Sequence, residues 1–68
     1  MTIQFLNRFA NFNHSDIVDG KLYVDFDDIQ VNFEVQGDDI VAVSGRNAWG
    51  ARIDDIIEGK VAIILHDA

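Results

Sequence analysis

Apolar and polar residues alternate strictly over the eight residues from Ile29 to Gln36. Because successive side chains of a β-strand point to opposite faces, this alternation predicts a strand with one buried and one exposed face. A second alternating run, Leu22 to Phe26, precedes it, and only Asp27-Asp28 separates the two. A two-residue turn there pairs Leu22 with Phe33 and places the apolar residues of both runs on one face. The chain is therefore expected to contain an antiparallel hairpin.

Gly37-Asp38-Asp39 predicts a turn into a third strand, Ile40 to Ser44. The register of this strand depends on whether two or three residues form the loop. A two-residue loop leaves Val41 and Val43 on the face opposite the hairpin core, and a three-residue loop leaves Ile40 and Ala42 there. In either register some aliphatic side chains lie on that second face.

The carboxyl-terminal third predicts a loop, a helix and a strand. Ser44 to Ala51 contains two glycines and is expected to be a loop, while isoleucines at helical spacing predict a short helix over Arg52 to Glu58. Lys60 to His66 contains a continuous apolar run, which predicts an interior strand buried on both faces. The amino-terminal pattern from Ile3 to Phe12 fits a strand or a helix, and we expect an extended segment against the sheet.

Together these patterns predict an α+β fold: a small antiparallel β-meander with one short helix and a buried C-terminal strand. The meander strands are expected at Lys21–Phe26, Ile29–Gln36 and Ile40–Ser44. With 68 residues the chain has material for one core, so residues 1–68 are expected to form a single small acidic domain. The chain has no cysteine, which excludes disulfides and thiolate metal sites.

Charge restricts the classes of partner. Five Lys and Arg residues stand against twelve Asp and Glu residues, for a formal net charge of −7. Nucleic acids and anionic membranes require clustered basic residues, so direct binding to either is not expected. A larger protein with a basic surface is the partner that this charge favours, and solubility is the alternative role for the charge. No apolar run is long enough to span a bilayer and no secretory signal is evident, so a cytoplasmic location is expected.

Motifs for catalysis or cofactor binding are not evident in the sequence. The two histidines, His14 and His66, lie far apart in sequence, and Ser15 next to His14 does not give a catalytic triad. The acids from Asp25 to Asp28 lack the glycine and glutamate of a calcium loop. Gly45 and Gly50 have the separation found in phosphate-binding loops, but the Lys and Ser/Thr of those loops are missing. We therefore expect no enzyme activity, no cofactor and no metal site.

Trp49 is the single tryptophan and lies between Arg46 and Arg52. Trp and Arg are enriched at binding hot spots, so this loop is a candidate anchor. Alternatively, the Trp49 ring caps one end of the sheet. The meander predicts acidic residues at both of its ends, with Arg46 partly neutralising Asp27-Asp28. The candidate partner-binding residues are Asp25, Asp27, Asp28, Asp38, Asp39, Arg46 and Trp49.

Two functions are compatible with this sequence. The first is a non-enzymatic acidic binding protein that occupies a basic, nucleic-acid-binding surface of a larger protein. In composition the chain resembles virus-encoded inhibitors of bacterial defence, including those of phages. The second is a small structural or assembly subunit that forms a homodimer or larger oligomer through strand edges and an apolar sheet face.

Overall fold

The computed structural model describes residues 1–66. They form a six-stranded antiparallel sheet, curled into a half-barrel, with one short helix. The strands are β1 (Thr2–Phe5), β2 (Arg8–Asn11), β3 (Lys21–Asp25), β4 (Ile29–Gln36), β5 (Asp39–Asn47) and β6 (Val61–Leu65), and the helix is α1 (Asp54–Ile57). A 3-10 turn at His14–Asp16 lies between β2 and β3. The order of strands is β2-β1-β6-β5-β4-β3. The predicted α+β class agrees roughly, but the molecule is predominantly β.

The predicted hairpin is confirmed as β3 and β4. Leu22 pairs with Phe33, and the Phe26 amide donates to the Ile29 carbonyl at 2.8 Å, so two residues form the turn. Asp27 adopts a φ of +76°, a left-handed conformation that Asp tolerates better than most residues. The side chain of Asp25 stabilises this turn by accepting a hydrogen bond from the Asp27 amide at 2.9 Å.

The β4–β5 connection is the two-residue alternative, because Gln36 pairs with Asp39. Val41 and Val43 are therefore on the second face, while Ala42 is buried in the core. Strand β5 continues to Asn47, so the predicted loop from Ser44 is wrong over its first residues. Gly45 lies within this strand and is buried. Ile57 of α1 packs directly against it, which leaves no space for a side chain at this position.

The amino-terminal segment is extended, as expected, but it reverses direction to form the hairpin of β1 and β2. Leu6 and Asn7 have φ values of +50° and +62°, which are the signs that a tight two-residue hairpin turn requires. Strand β1 also pairs with β6 through Thr2, Ile3 and Gln4. The hairpin therefore extends the sheet beyond the carboxyl-terminal strand.

Strand β6 lies between β1 and β5, which confirms its interior position. Its predicted burial on both faces is wrong, because Val61, Ile63 and Leu65 are exposed. The helix, at Asp54–Ile57, is shorter than the predicted Arg52–Glu58, and its buried Ile57 packs on the inner face of the sheet. Among residues 1–66 no second layer covers the outer face of β6.

The core occupies the inner face of the curled sheet. Phe5 of β1 packs edge-to-face on Phe33 of β4, with ring centroids 5.2 Å apart, although β6 and β5 separate these strands in the sheet. Phe26 lies 6.3 Å from Phe33. The contact between Phe5 and Phe33 is possible only because the sheet curls. The buried core consists of Ile3, Phe5, Phe12, Leu22, Val24, Phe26, Ile29, Val31, Phe33, Ile40, Ala42, Ile57 and Ala62.

Candidate functional site

Charged side chains lie at the surface throughout the part of the chain that the structure describes, and none is buried. Within residues 1–66 no three His, Cys, Asp or Glu side chains are grouped so that they could hold a metal ion. In the same range no helix has the length and apolar character needed to cross a bilayer. The candidate binding features are surface features at the two ends and on the outer face of the sheet.

The first end of the sheet carries Asp25, Asp27 and Asp28 in and beside the β3–β4 turn. Arg8 of β2 donates from Nε to Asp28 Oδ1 at 2.8 Å and from Nη2 to Asp28 Oδ2 at 2.7 Å. This bidentate ion pair between Arg8 and Asp28 joins the amino-terminal hairpin to the β3–β4 turn. The expectation that Arg46 neutralises this end is corrected, because the curl of the sheet brings Arg8 to Asp28. Hydrogen bonding by Arg8 holds the pKa of Asp28 below its ordinary value.

Acid is expected to weaken the fold through Asp28. Its pKa is lowered in the folded chain, so its stabilising contribution is complete above the ordinary Asp pKa of about 3.9 and is lost as pH falls through the lowered value. Asp28→Asn should therefore reduce the dependence of the melting temperature on pH in the acid range. Asp55→Asn is the control, because Asp55 is exposed and forms no side-chain hydrogen bond within residues 1–66. Equal melting curves against pH for Asp28→Asn and the wild type would contradict this assignment.

The loop after β5 lies at the first end and presents Trp49. Its side chain is 88% exposed, so the alternative in which Trp49 caps the sheet is wrong. The loop is nonetheless tightly hydrogen-bonded: Asn47 Oδ1 accepts from the Trp49 and Ala51 amides, each at 3.0 Å. The Gly50 amide donates to the Asn47 carbonyl at 2.9 Å. A compact turn therefore holds an aromatic side chain in solvent.

Arg46 and Arg52, which flank the Trp49 loop, face each other in a β-bridge. Arg52 pairs with Asp54, whose Oδ1 also accepts from the Gly45 amide at 2.8 Å. The Gly45 hydrogen bond, followed by that of Arg52, lowers the pKa of Asp54. Arg46 forms no ion pair or side-chain hydrogen bond in the described part of the chain. It borders a shallow outer groove of about 350 Å³ whose other polar residues include Tyr23, Gln30 and Asn32.

The second end of the sheet carries the β4–β5 turn and the segment between β2 and β3. The Val35 amide donates to the Gly20 carbonyl at 2.7 Å, which holds these two parts together. Neither Asp38 nor Asp39 forms an ion pair with another of the residues 1–66. The acids at this end are Asp16, Asp19, Asp38 and Asp39. The arginines Arg8, Arg46 and Arg52 lie toward the first end, whereas Lys21, which pairs with Glu34, lies at the second.

A hollow of about 250 Å³ opens at the second end. Buried or half-buried apolar side chains line it, among them Phe12, Ile40 and Ile64. The exposed residues Asp38 and Asp39 also line it, together with His14 and His66. The sequence predicted acids at this end but gave no signal for the hollow, because Phe12, Ile40 and Ile64 come from distant parts of the chain. The hollow combines an apolar surface with two carboxylates, two imidazoles and the amino-terminal residue Met1.

Exposed apolar side chains of β6 and β2 form a patch on the outer face of the sheet that the sequence patterns did not reveal. We define the patch as Phe9, Val61, Ile63 and Leu65. Gln4 pairs with both Phe9 and Ile63, which places Phe9 and Ile63 in one row across three strands. Their side chains are 59% and 56% exposed. The continuous apolar run of β6 was the available signal, because such a run also fits a strand that exposes one apolar face.

No protein-family model, curated protein or solved structure matches the chain. Function is therefore inferred from the hollow, the Trp49 loop and the apolar patch.

Proposed function

We propose that the chain is a non-enzymatic, cytoplasmic binding protein that occupies a basic surface of a larger protein. The observation that supports this proposal is the hollow at the second end, where Asp38 and Asp39 border apolar side chains. A partner segment that carries both basic and apolar side chains matches this chemistry. Apolar contacts would stabilise the complex, and the carboxylates would select for a basic partner.

The net charge of −7 supports the same function, because it attracts a basic partner over a longer distance than direct contacts do. Complementary charge accelerates association and discriminates against wrong partners. Grooves that bind nucleic acids are basic, so an inhibitor of a nucleic-acid-binding protein is the version of this function that the charge favours. The acids at the two ends lie at opposite ends of β4, about 24 Å apart for eight strand residues. We place the principal contact at the second end because Asp38 and Asp39 form no ion pair within residues 1–66, whereas Asp28 at the first end is paired with Arg8.

The test is a charge reversal with a matched control. Wild-type protein is first used to capture partners from a bacterial lysate at low and high salt. Asp38→Lys/Asp39→Lys is then expected to slow association with an identified partner at least tenfold at low salt and to reduce its salt dependence. The control Asp55→Lys/Glu58→Lys changes net charge equally but at exposed positions on and just after α1. Equal association rates for the two variants would contradict the proposal.

A second candidate function is an assembly subunit, and the apolar patch on β6 favours it. Patches of exposed apolar side chains on soluble proteins commonly mark protein interfaces. Gln4 and Thr2 on the adjacent β1 are uncharged, so a second copy could approach this face without direct charge repulsion. Two copies related by a twofold axis would then pack their outer faces together.

Ile63→Lys is expected to prevent assembly through the apolar patch. For assembly through the patch alone, wild-type protein should reach twice the chain mass of 7.6 kDa in sedimentation equilibrium, and the variant should remain at the single-chain mass. Because more than half of Ile63 is exposed, the folded state should change by only about 0.5 kcal/mol. Val18→Lys, at an exposed position outside the patch, is the control. A monomeric wild type at millimolar concentration would exclude this function.

A further inference from the structure

The Trp49 loop has the properties of a preformed binding element. Asn47 fixes the loop through its side chain and its backbone, and Trp49 projects from it with 88% of its surface exposed. An aromatic side chain on an ordered loop loses little conformational freedom when it binds, so more of its contact energy is retained. Arg46 adds a positive charge at the base of this loop, where it faces Arg52 and forms no ion pair within residues 1–66. The loop is therefore suited to an apolar pocket with an acidic border.

The hollow at the second end of the same molecule has this chemistry. Its volume of about 250 Å³ exceeds the roughly 150 Å³ of an apolar cavity that holds benzene, so it can take an aromatic ring. Asp38 and Asp39 lie at its border and offer two carboxylates to Arg46, which lies at the base of the incoming loop. Apolar character and charge are thus complementary between the two ends of one chain.

We propose that the Trp49 loop of one copy docks in the hollow of a second copy. The loop and the hollow lie at opposite ends of the sheet, so the contact joins different surfaces of the two molecules. Such head-to-tail contacts generate rings when the rotation closes and open chains when it does not. This inference goes beyond the proposed function and does not rest on it. It implies that a basic partner segment and the Trp49 loop compete for one hollow.

Mixing two single-site variants tests the proposal. Trp49→Ala removes the docking side chain, and Asp38→Lys/Asp39→Lys places positive charge at the border of the hollow. Each variant alone should sediment as a monomer, while an equimolar mixture should form a dimer of twice 7.6 kDa and nothing larger. Wild-type protein should form species larger than a dimer as its concentration rises. Ile63→Lys should associate like the wild type, which separates this contact from packing through the apolar patch.

Fluorescence gives an independent measurement, because Trp49 is the only tryptophan. Its emission should shift to shorter wavelength as wild-type protein is concentrated and return on dilution. A wild type that stays monomeric at millimolar concentration overturns the proposal, and so does association with unchanged emission. Association of Trp49→Ala as strong as that of the wild type also overturns it. Partner capture that depends on Asp38 and Asp39 but not on Trp49 would leave the proposed function intact, so the two ideas fail separately.

Discussion

Phe33→Ala is expected to lower the free energy of unfolding by about 3–5 kcal/mol, which is a large part of the stability of a domain this small. The Phe33 side chain is 1% exposed and lies at the centre of the core. It contacts Phe5 at 5.2 Å and Phe26 at 6.3 Å between ring centroids. Its removal leaves a cavity between the two sides of the curled sheet, which cannot close without moving strands that are far apart in the sheet order.

Urea unfolding monitored by circular dichroism measures this loss. Tyr23→Ala is the matched control, because Tyr23 is an aromatic residue of the neighbouring strand β3 that lies on the outer face and is largely exposed. The control should change stability by less than half as much. A midpoint for Phe33→Ala equal to that of the wild type would show that the core is not organised around this ring.

Gly45→Ala is expected to have the second largest effect, a loss of about 1–3 kcal/mol from overpacking. A methyl group at this position would lie 2.7 Å from Ile57 Cδ1 and 2.8 Å from the carbonyl oxygen of Gln30. Isoleucine can move the end of its side chain, but the Gln30 carbonyl belongs to the backbone of β4. The strand pairing between β4 and β5 must therefore adjust to relieve the contact.

A double-mutant cycle separates these two contacts. Ile57→Val removes Cδ1 and should cost about 0.5–1.5 kcal/mol on its own. In the Gly45→Ala/Ile57→Val variant the clash with Ile57 is absent and the clash with the Gln30 carbonyl remains. The double variant should therefore lose less stability than the sum of the two single variants. Strictly additive losses would show that α1 does not pack against Gly45 as described.

The hairpin of β3 and β4 could be predicted because its information is local. Alternation over Ile29 to Gln36 specifies the face, and Asp27-Asp28 leaves room for only one short turn. For the β4–β5 register the sequence left two alternatives, because the order of apolar and polar residues does not show whether two or three residues form the loop. In the same way, the acidic ends follow directly from where the turns fall.

Other features depend on contacts between distant residues, which a single sequence does not reveal. Gly45 resembles a loop glycine in the sequence but is a strand residue because Ile57 packs against it. Arg8 and Asp28 are 20 residues apart and meet only because the sheet curls. Burial of β6 was overestimated because a continuous apolar run does not show whether a second layer exists. The exposure of Trp49, the presence of the hollow and the apolar patch could likewise not be predicted, because each depends on how distant parts of the chain fold together.

The Arg8–Asp28 pair has a consequence for aggregation. Val61 to Leu65 is an uncharged, β-prone segment, the type that forms cross-β contacts when its backbone is unpaired. Three of its residues, Ile63 to Leu65, pair with β1, so detachment of the amino-terminal hairpin would free their backbone groups. Arg8 ties that hairpin to the β3–β4 turn and thereby opposes this opening. An exposed ion pair that adds little to global stability can thus protect the chain against intermolecular strand pairing.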